Sequence, residues 1–118
     1  MSSANVAGVD VEVRHWIGGR RVASAAVFTD VCPIDSTPLA EVARGGAAEV
    51  DAAVRAARDA FADWSATPAP ERAAVLHAIA DGIEARAAEL AAVETADNGA
   101  LLRSHVNSVM PRAAHNFR

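Results

Sequence analysis

The strongest constraint on the fold is a change of hydrophobic period at Gly45-Gly46. Before these glycines apolar residues alternate: Val11, Val13, His15 and Ile17 are interleaved with Glu12, Arg14 and Trp16, and Gly18-Gly19 separates this run from Arg20-Arg21-Val22-Ala23. A period of two sets one face of a strand against a core, and a two-glycine link suits the primed turn of a hairpin, whose residues need positive φ. A second extended run over 27–31 meets Cys32-Pro33-Ile34-Asp35-Ser36-Thr37-Pro38, where two prolines and short polar side chains impose a turn, and alternation resumes from Leu39 to Ala43. Residues 11–43 are predicted to form a small β meander, preceded by a flexible tail over 1–10.

After the glycines, Val50, Val54, Ala57, Phe61 and Trp64 recur at i, i+4, i+7, i+11 and i+14, which predicts an amphipathic helix over 47–65. Thr67 and the prolines at 68 and 70 suit the opening of a second helix, because proline lacks only an N–H that a first turn leaves unpaired. That helix is predicted over 68–97, about 45 Å long, with Leu76, Ile79, Ile83, Leu90 and Val93 on one face and Gly99 as its stop. Residues 100–108 read as a connector, and Pro111 as the start of a third helix over 111–118. The pattern breaks off inside that helix's second turn, as expected of a fragment of a longer chain.

Composition then bounds the function. With 52% apolar residues the chain is not disordered throughout, but 30 of its 118 residues are Ala and only 4% are aromatic, so helix propensity is high and each buried side chain covers little area. All 11 basic residues are Arg against 15 acids, a formal charge of −4 that argues against a nucleic-acid partner. No stretch approaches the ~18 apolar residues of a membrane span, and the first residues lack the basic and apolar regions of a secretory signal. A single cysteine, Cys32, excludes an internal disulfide and fits a reducing compartment, so a cytoplasmic location without membrane association is expected.

Few residues suggest chemistry on their own. Cys32 precedes a proline at a strand end with no base placed beside it, and reads as a structural thiol rather than a nucleophile. His15, His77, His105 and His115 lack metal-ligand spacing. Gly45-Gly46 before a helix is a possible anion cradle, but no dinucleotide or P-loop pattern accompanies it and Glu49 enters the first turn, so a helix-entry loop is preferred. Glu94 and Asp97 lie near a helix C-terminus, where the dipole disfavours negative charge and calls for a cation, a basic neighbour or solvent.

His15-Trp16-Ile17-Gly18-Gly19, the Pro33–Thr37 turn, the Ala-rich helix ending at Trp64, Pro70-Glu71-Arg72 and Glu94-Thr95-Ala96-Asp97-Asn98-Gly99 occur in the order found in the N-terminal portion of the NAD(P)-dependent aldehyde dehydrogenase superfamily, which residues 14–118 resemble. Within it, His15–Ile17, Glu94–Gly99 and Pro111–Phe117 look most like a member that oxidises a carboxylated semialdehyde in aromatic-compound catabolism. The resemblance implies an α/β fold represented here only by its N-terminal part, an NAD- or NADP-dependent oxidation of an aldehyde to an acid, and a homodimer or homotetramer. It also implies that the catalytic residues and the cofactor site lie beyond residue 118, so that this segment alone binds no cofactor and is inactive. Cys32 stands where the family usually has Asn before Pro, and Ala100-Leu101 replaces the usual Lys or Pro after the Asp-x-Gly turn. Two sets of site residues follow from the resemblance: a monovalent-cation site drawing on Asp30, Val31 and Asp97, and Arg112 with Asn116 on a helix lining the substrate tunnel. The competing expectation is a non-catalytic helical-hairpin module whose exposed apolar stripes seek a partner.

Overall fold

Gly18 and Gly19 adopt φ of 60° and 74°, the left-handed pair a primed turn demands, so β3 (His15–Ile17) returns directly as β4 (Arg20–Val22). The computed structural model describes residues 2–118 as a mixed α/β chain that divides into two units. One unit contains the residues up to Val31 and Pro38–Ala66; the other contains Cys32–Thr37 and Thr67–Arg118.

The first unit corrects the expectation of a flexible tail over residues 1–10. β1 (Ser3–Val6) pairs antiparallel with β2 (Val9–Glu12) across a turn in which Ala7 and Gly8 both have positive φ. The hairpin is worth forming because it buries Val6, and the Asn5 amide donates to Asp10 across it at 2.9 Å. The alternating run over 11–17 is accordingly split: β2 pairs backward, β3 pairs forward, and buried Val13 lies between them, donating its N–H to Ser2 and accepting from Ala43. At this joint Arg14 forks onto Glu12, with both N···O distances at 2.7 Å. β5 (Val27–Val31) and β6 (Pro38–Ala43) form the third antiparallel pair, irregular at Asp30/Val31, and β1 lies against β6.

The helix predicted over 47–65 is α1 (Ala47–Ala66), lying against β3. Its predicted stripe is uncovered. No α1 residue is buried, and Val50, Val54, Phe61 and Trp64 are 57%, 45%, 67% and 42% exposed.

In the second unit, the Cys32–Thr37 turn closes on itself. Cys32 N–H donates to Thr37 O and Ser36 N–H to Cys32 O, both at 2.9 Å, while Asp35 accepts from the Thr37 N–H and hydroxyl at 3.0 and 2.7 Å. These two donors, the hydroxyl foremost, hold the Asp35 carboxyl below its ordinary pKa, and the Cys32 thiol also contributes. Cys32 is buried, as a structural thiol should be.

The single helix expected over 68–97 is two: α2 (Ala69–Ala85) and α3 (Ala87–Asn98). Arg86 falls between them at φ −114° and ψ 18°, outside the helical well. Its N–H is shared between the Glu84 and Gly82 carbonyls, so the turn tightens locally while Leu90 N–H still reaches Arg86 O at 3.0 Å. Gly99 then stops α3 in the left-handed conformation, as expected.

The connector expected over 100–108 is corrected, and the helix expected over 111–118 is found but continues from the residues before it. α4 (Leu102–Ser104), a π-helical segment (His105–Val109) and α5 (Met110–His115) follow one another without a break. Pro111 lies inside this helix because the preceding wide turn absorbs its missing N–H and the bulk of its ring. Ala80, Ala91 and Ala114 are fully buried in this unit, with His105 and Met110 beside them, whereas Leu76, Ile79 and Leu90 are 41%, 40% and 37% exposed. Among the described residues, no helix is long and apolar enough to cross a membrane.

Gly99 has φ 76°, and a Cβ there would lie 3.1 Å from Pro33 Cγ. Gly99→Ala should therefore destabilise the chain by about 1–2 kcal/mol, read as a lowered denaturant midpoint; an unchanged midpoint would show that neither constraint operates.

The Arg14 guanidinium lowers the Glu12 pKa from 4.5 to about 2. The pair's contribution to stability is thus fully present above pH 4.5 and is lost as pH falls toward 2. Carboxyl NMR shifts should give a Glu12 midpoint near 2, returning to the ordinary glutamate range in Arg14→Met.

Candidate functional site

α5 is a short helix with two unlike faces. Met110 and Ala114, four residues apart, are buried on one, and α5 lies against α2. Arg112 and Asn116, also four apart, are both exposed and occupy the opposite side, with Asn116 N–H donating to Arg112 O at 3.0 Å. At the end of the chain Arg118 turns back to α2 and grips Asp81 and Glu84 at 2.9 and 2.8 Å.

Those two acids, Asp81 first, raise the Arg118 pKa and occupy its guanidinium. Arg112 has no such partner among the described residues. A planar guanidinium with a neighbouring carboxamide on one open helix face can fork onto a carboxylate while the amide supplies a further hydrogen bond. The structure thus places Arg112 and Asn116 on one exposed face, as their i, i+4 spacing requires.

The segment leading into α5 carries a polar relay that the sequence did not disclose. Asn98, the last residue of α3, donates its amide to Glu94 at 2.9 Å and accepts the Ala100 N–H at 2.8 Å on Oδ1. The same oxygen lies 3.3 Å from Nε2 of His105, a residue only 4% exposed, whose Nδ1 is buried without a partner. His105 was obscured because it falls five residues before Met110, a spacing that a 3.6-residue period does not register.

The two halves of the expected cation site belong to different units. Asp30 and Val31 sit at the irregularity of the β5–β6 ladder, whereas Asp97 is in the last turn of α3 and has an interaction of its own. Among the described residues no three His, Cys, Asp or Glu side chains are grouped to hold a metal ion.

A dinucleotide phosphate does not fit the Gly45-Gly46 loop. Glu49 Oε2 accepts the Gly46 N–H at 2.8 Å, taking the amide a phosphate would need. That bond foremost, then Glu49's own N–H and the nearby His15, holds the carboxyl below its ordinary pKa, so an incoming phosphate would meet a fixed negative charge.

Residues 21–118 match the sequence profile of the aldehyde dehydrogenase family. The chain is 42% identical over 106 residues to the 5-carboxymethyl-2-hydroxymuconate semialdehyde dehydrogenase of Escherichia coli, covering 90% of this chain and 23% of that protein. It is 44% identical over 112 residues to the 2-hydroxymuconic semialdehyde dehydrogenase of Pseudomonas sp. (strain CF600), covering 91% and 23%. Among solved structures it superposes on PnpE in complex with nicotinamide adenine dinucleotide with a TM-score of 0.86, at 37% identity, covering 89% of this chain and 22% of that one. The chain therefore spans less than a quarter of the length of these relatives.

Proposed function

The chain belongs to the aldehyde dehydrogenase family, and we propose that it is the N-terminal segment of an enzyme that oxidises a carboxylated semialdehyde, of the 5-carboxymethyl-2-hydroxymuconate type, to the acid with NAD or NADP. The observation that carries the substrate assignment is the Arg112 guanidinium, without an ion-pair partner among the described residues, sharing the open face of α5 with Asn116. A dicarboxylate aldehyde needs a cationic fork to hold it by the end that does not react, and Arg112 provides one. Asn116, one turn on, adds an amide N–H donor that fixes the carboxylate's orientation.

Within this segment no step of the oxidation itself is assigned. Cys32 is buried in its own turn, and the Gly45-Gly46 loop is occupied by Glu49. When bound, the nicotinamide of the complete enzyme supplies the hydride acceptor. The 118-residue segment is inactive alone and binds no dinucleotide.

One observation favours a second reading, a helical interaction module without catalysis: α1 buries none of its residues and leaves Val50, Val54, Phe61 and Trp64 open. Sequencing the gene past codon 118 separates the two, since an enzyme needs a nucleotide-binding unit and a catalytic cysteine downstream.

The substrate assignment is tested by Arg112→Met in the complete enzyme. Charge-assisted hydrogen bonds contribute about 1.5–3 kcal/mol each, so KM for the carboxylated semialdehyde should rise roughly ten- to hundredfold. KM for a neutral aldehyde should rise far less; an equal rise for both would overturn the assignment.

A further inference from the structure

His105 and Met110 are both buried although five residues separate them. In a regular α-helix, residues four apart share a face and residues five apart do not. The His105–Val109 segment resolves the conflict with a π turn, in which Met110 N–H donates to the His105 carbonyl five residues back. α5 feels the consequence. Were the helix regular from His105 onward, the face continuing from the buried imidazole would carry Val109, Arg112 and Asn116, at i+4, i+7 and i+11. The π turn gives the inward face to Met110 and Ala114 instead, and turns Arg112 and Asn116 out.

One specific bond ties the start of this turn to α3. Asn98 has its amide oriented by two other partners, Glu94 and the Ala100 N–H, so the oxygen facing His105 is an acceptor. His105 Nε2 is then the donor of this bond, and the buried Nδ1 has no partner among the described residues. An apolar side chain would fill the same space without that cost, so the imidazole does more than pack.

Pro111 makes the anchor consequential. Because its ring and missing N–H exclude a regular turn across Asn107, the segment has no α-helical alternative to relax into. Released from Asn98 it frays, and Arg112, the third residue of α5, loses its fixed base.

We infer that His105 is a positioning residue, which through Asn98 holds the π turn that aims Arg112 and Asn116 at the substrate carboxylate. This rests on the proposed role of Arg112 as the carboxylate fork. The test compares steady-state kinetics of the complete enzyme on the carboxylated semialdehyde and on a neutral aldehyde.

His105→Leu, which keeps bulk and removes the bond, should raise KM for the carboxylated substrate about tenfold, with kcat and the neutral-aldehyde KM moving less than about twofold. His105→Gln, whose amide can donate to Asn98 Oδ1, should recover most of the loss. Asn98→Ala removes the same bond from the other side, should reproduce the selective rise, and decides the matter if the Leu variant does not fold.

Wild-type kinetics in His105→Leu and Asn98→Ala, or equal losses on both aldehydes, overturn the role of His105 while leaving a selective Arg112→Met effect standing. A Gln variant as impaired as the Leu variant overturns the hydrogen bond as the cause. Absence of a selective Arg112→Met effect removes the fork itself, and the role of His105 with it.

Discussion

Small side chains at three positions set the geometry on which the second unit depends. Ala80 on α2, Ala91 on α3 and Ala114 on α5 are fully buried, while the larger Leu76, Ile79 and Leu90 remain more than a third exposed. Helices that meet through alanine approach more closely than leucine contacts allow, and each methyl buries little area, so cohesion comes from dispersion over many short contacts. A larger side chain at Ala114 would force α5 away from α2 and strain the rotamers around it. Gly99 obeys the same rule in another form: Pro33 lies where its Cβ would be.

Close packing leaves little freedom in helical phase. Once Ala114 and Met110 face inward, everything after the π segment is fixed, and once His105 is inserted beside Asn98, everything before it is fixed too. The spacing between these two anchors does not match a regular helix, and the mismatch is taken up by one wide turn rather than spread along the helix. Pro111 stabilises that solution by disfavouring the regular one. The polar relay from Glu94 through Asn98 to His105 is thus part of the packing problem, and the unsatisfied Nδ1 is its residual strain.

What could be foreseen from sequence follows the same physics. Gly18-Gly19 and α1 were legible because positive-φ turn residues and a sustained 3.6-residue stripe are local signals. The β1–β2 hairpin was missed because Ala7 adopts positive φ, which alanine does not advertise, and because the contact that rewards the hairpin, burial of Val6, is not local. The break at Arg86 and the helical residues 102–109 were missed for a common reason: both depart from one regular period, by a tightened turn and by a widened one. At the site, Arg112 and Asn116 were legible as an i, i+4 pair. His105 was not, since its meaning depends on Asn98 across the Gly99 stop and on a spacing of five to Met110.

Arg112 and Arg118, six residues apart, show how the same side chain takes two roles. Arg118 reaches Asp81 and Glu84 on α2; these acids are largely exposed, so the bonds are screened and act mainly to tether the end of α5. Selectivity for an anionic substrate requires that asymmetry: a guanidinium already paired would have to break a bond for every bond it made, and the difference between charged and neutral substrates would shrink accordingly. Arg112 is exposed, with Asn116 one turn on and no ion-pair partner among the described residues, which is the asymmetry the proposed carboxylate fork relies on. Lysine there would keep the charge but not the planar fork, and with it would go the discrimination between a carboxylate held at a fixed angle and one merely attracted.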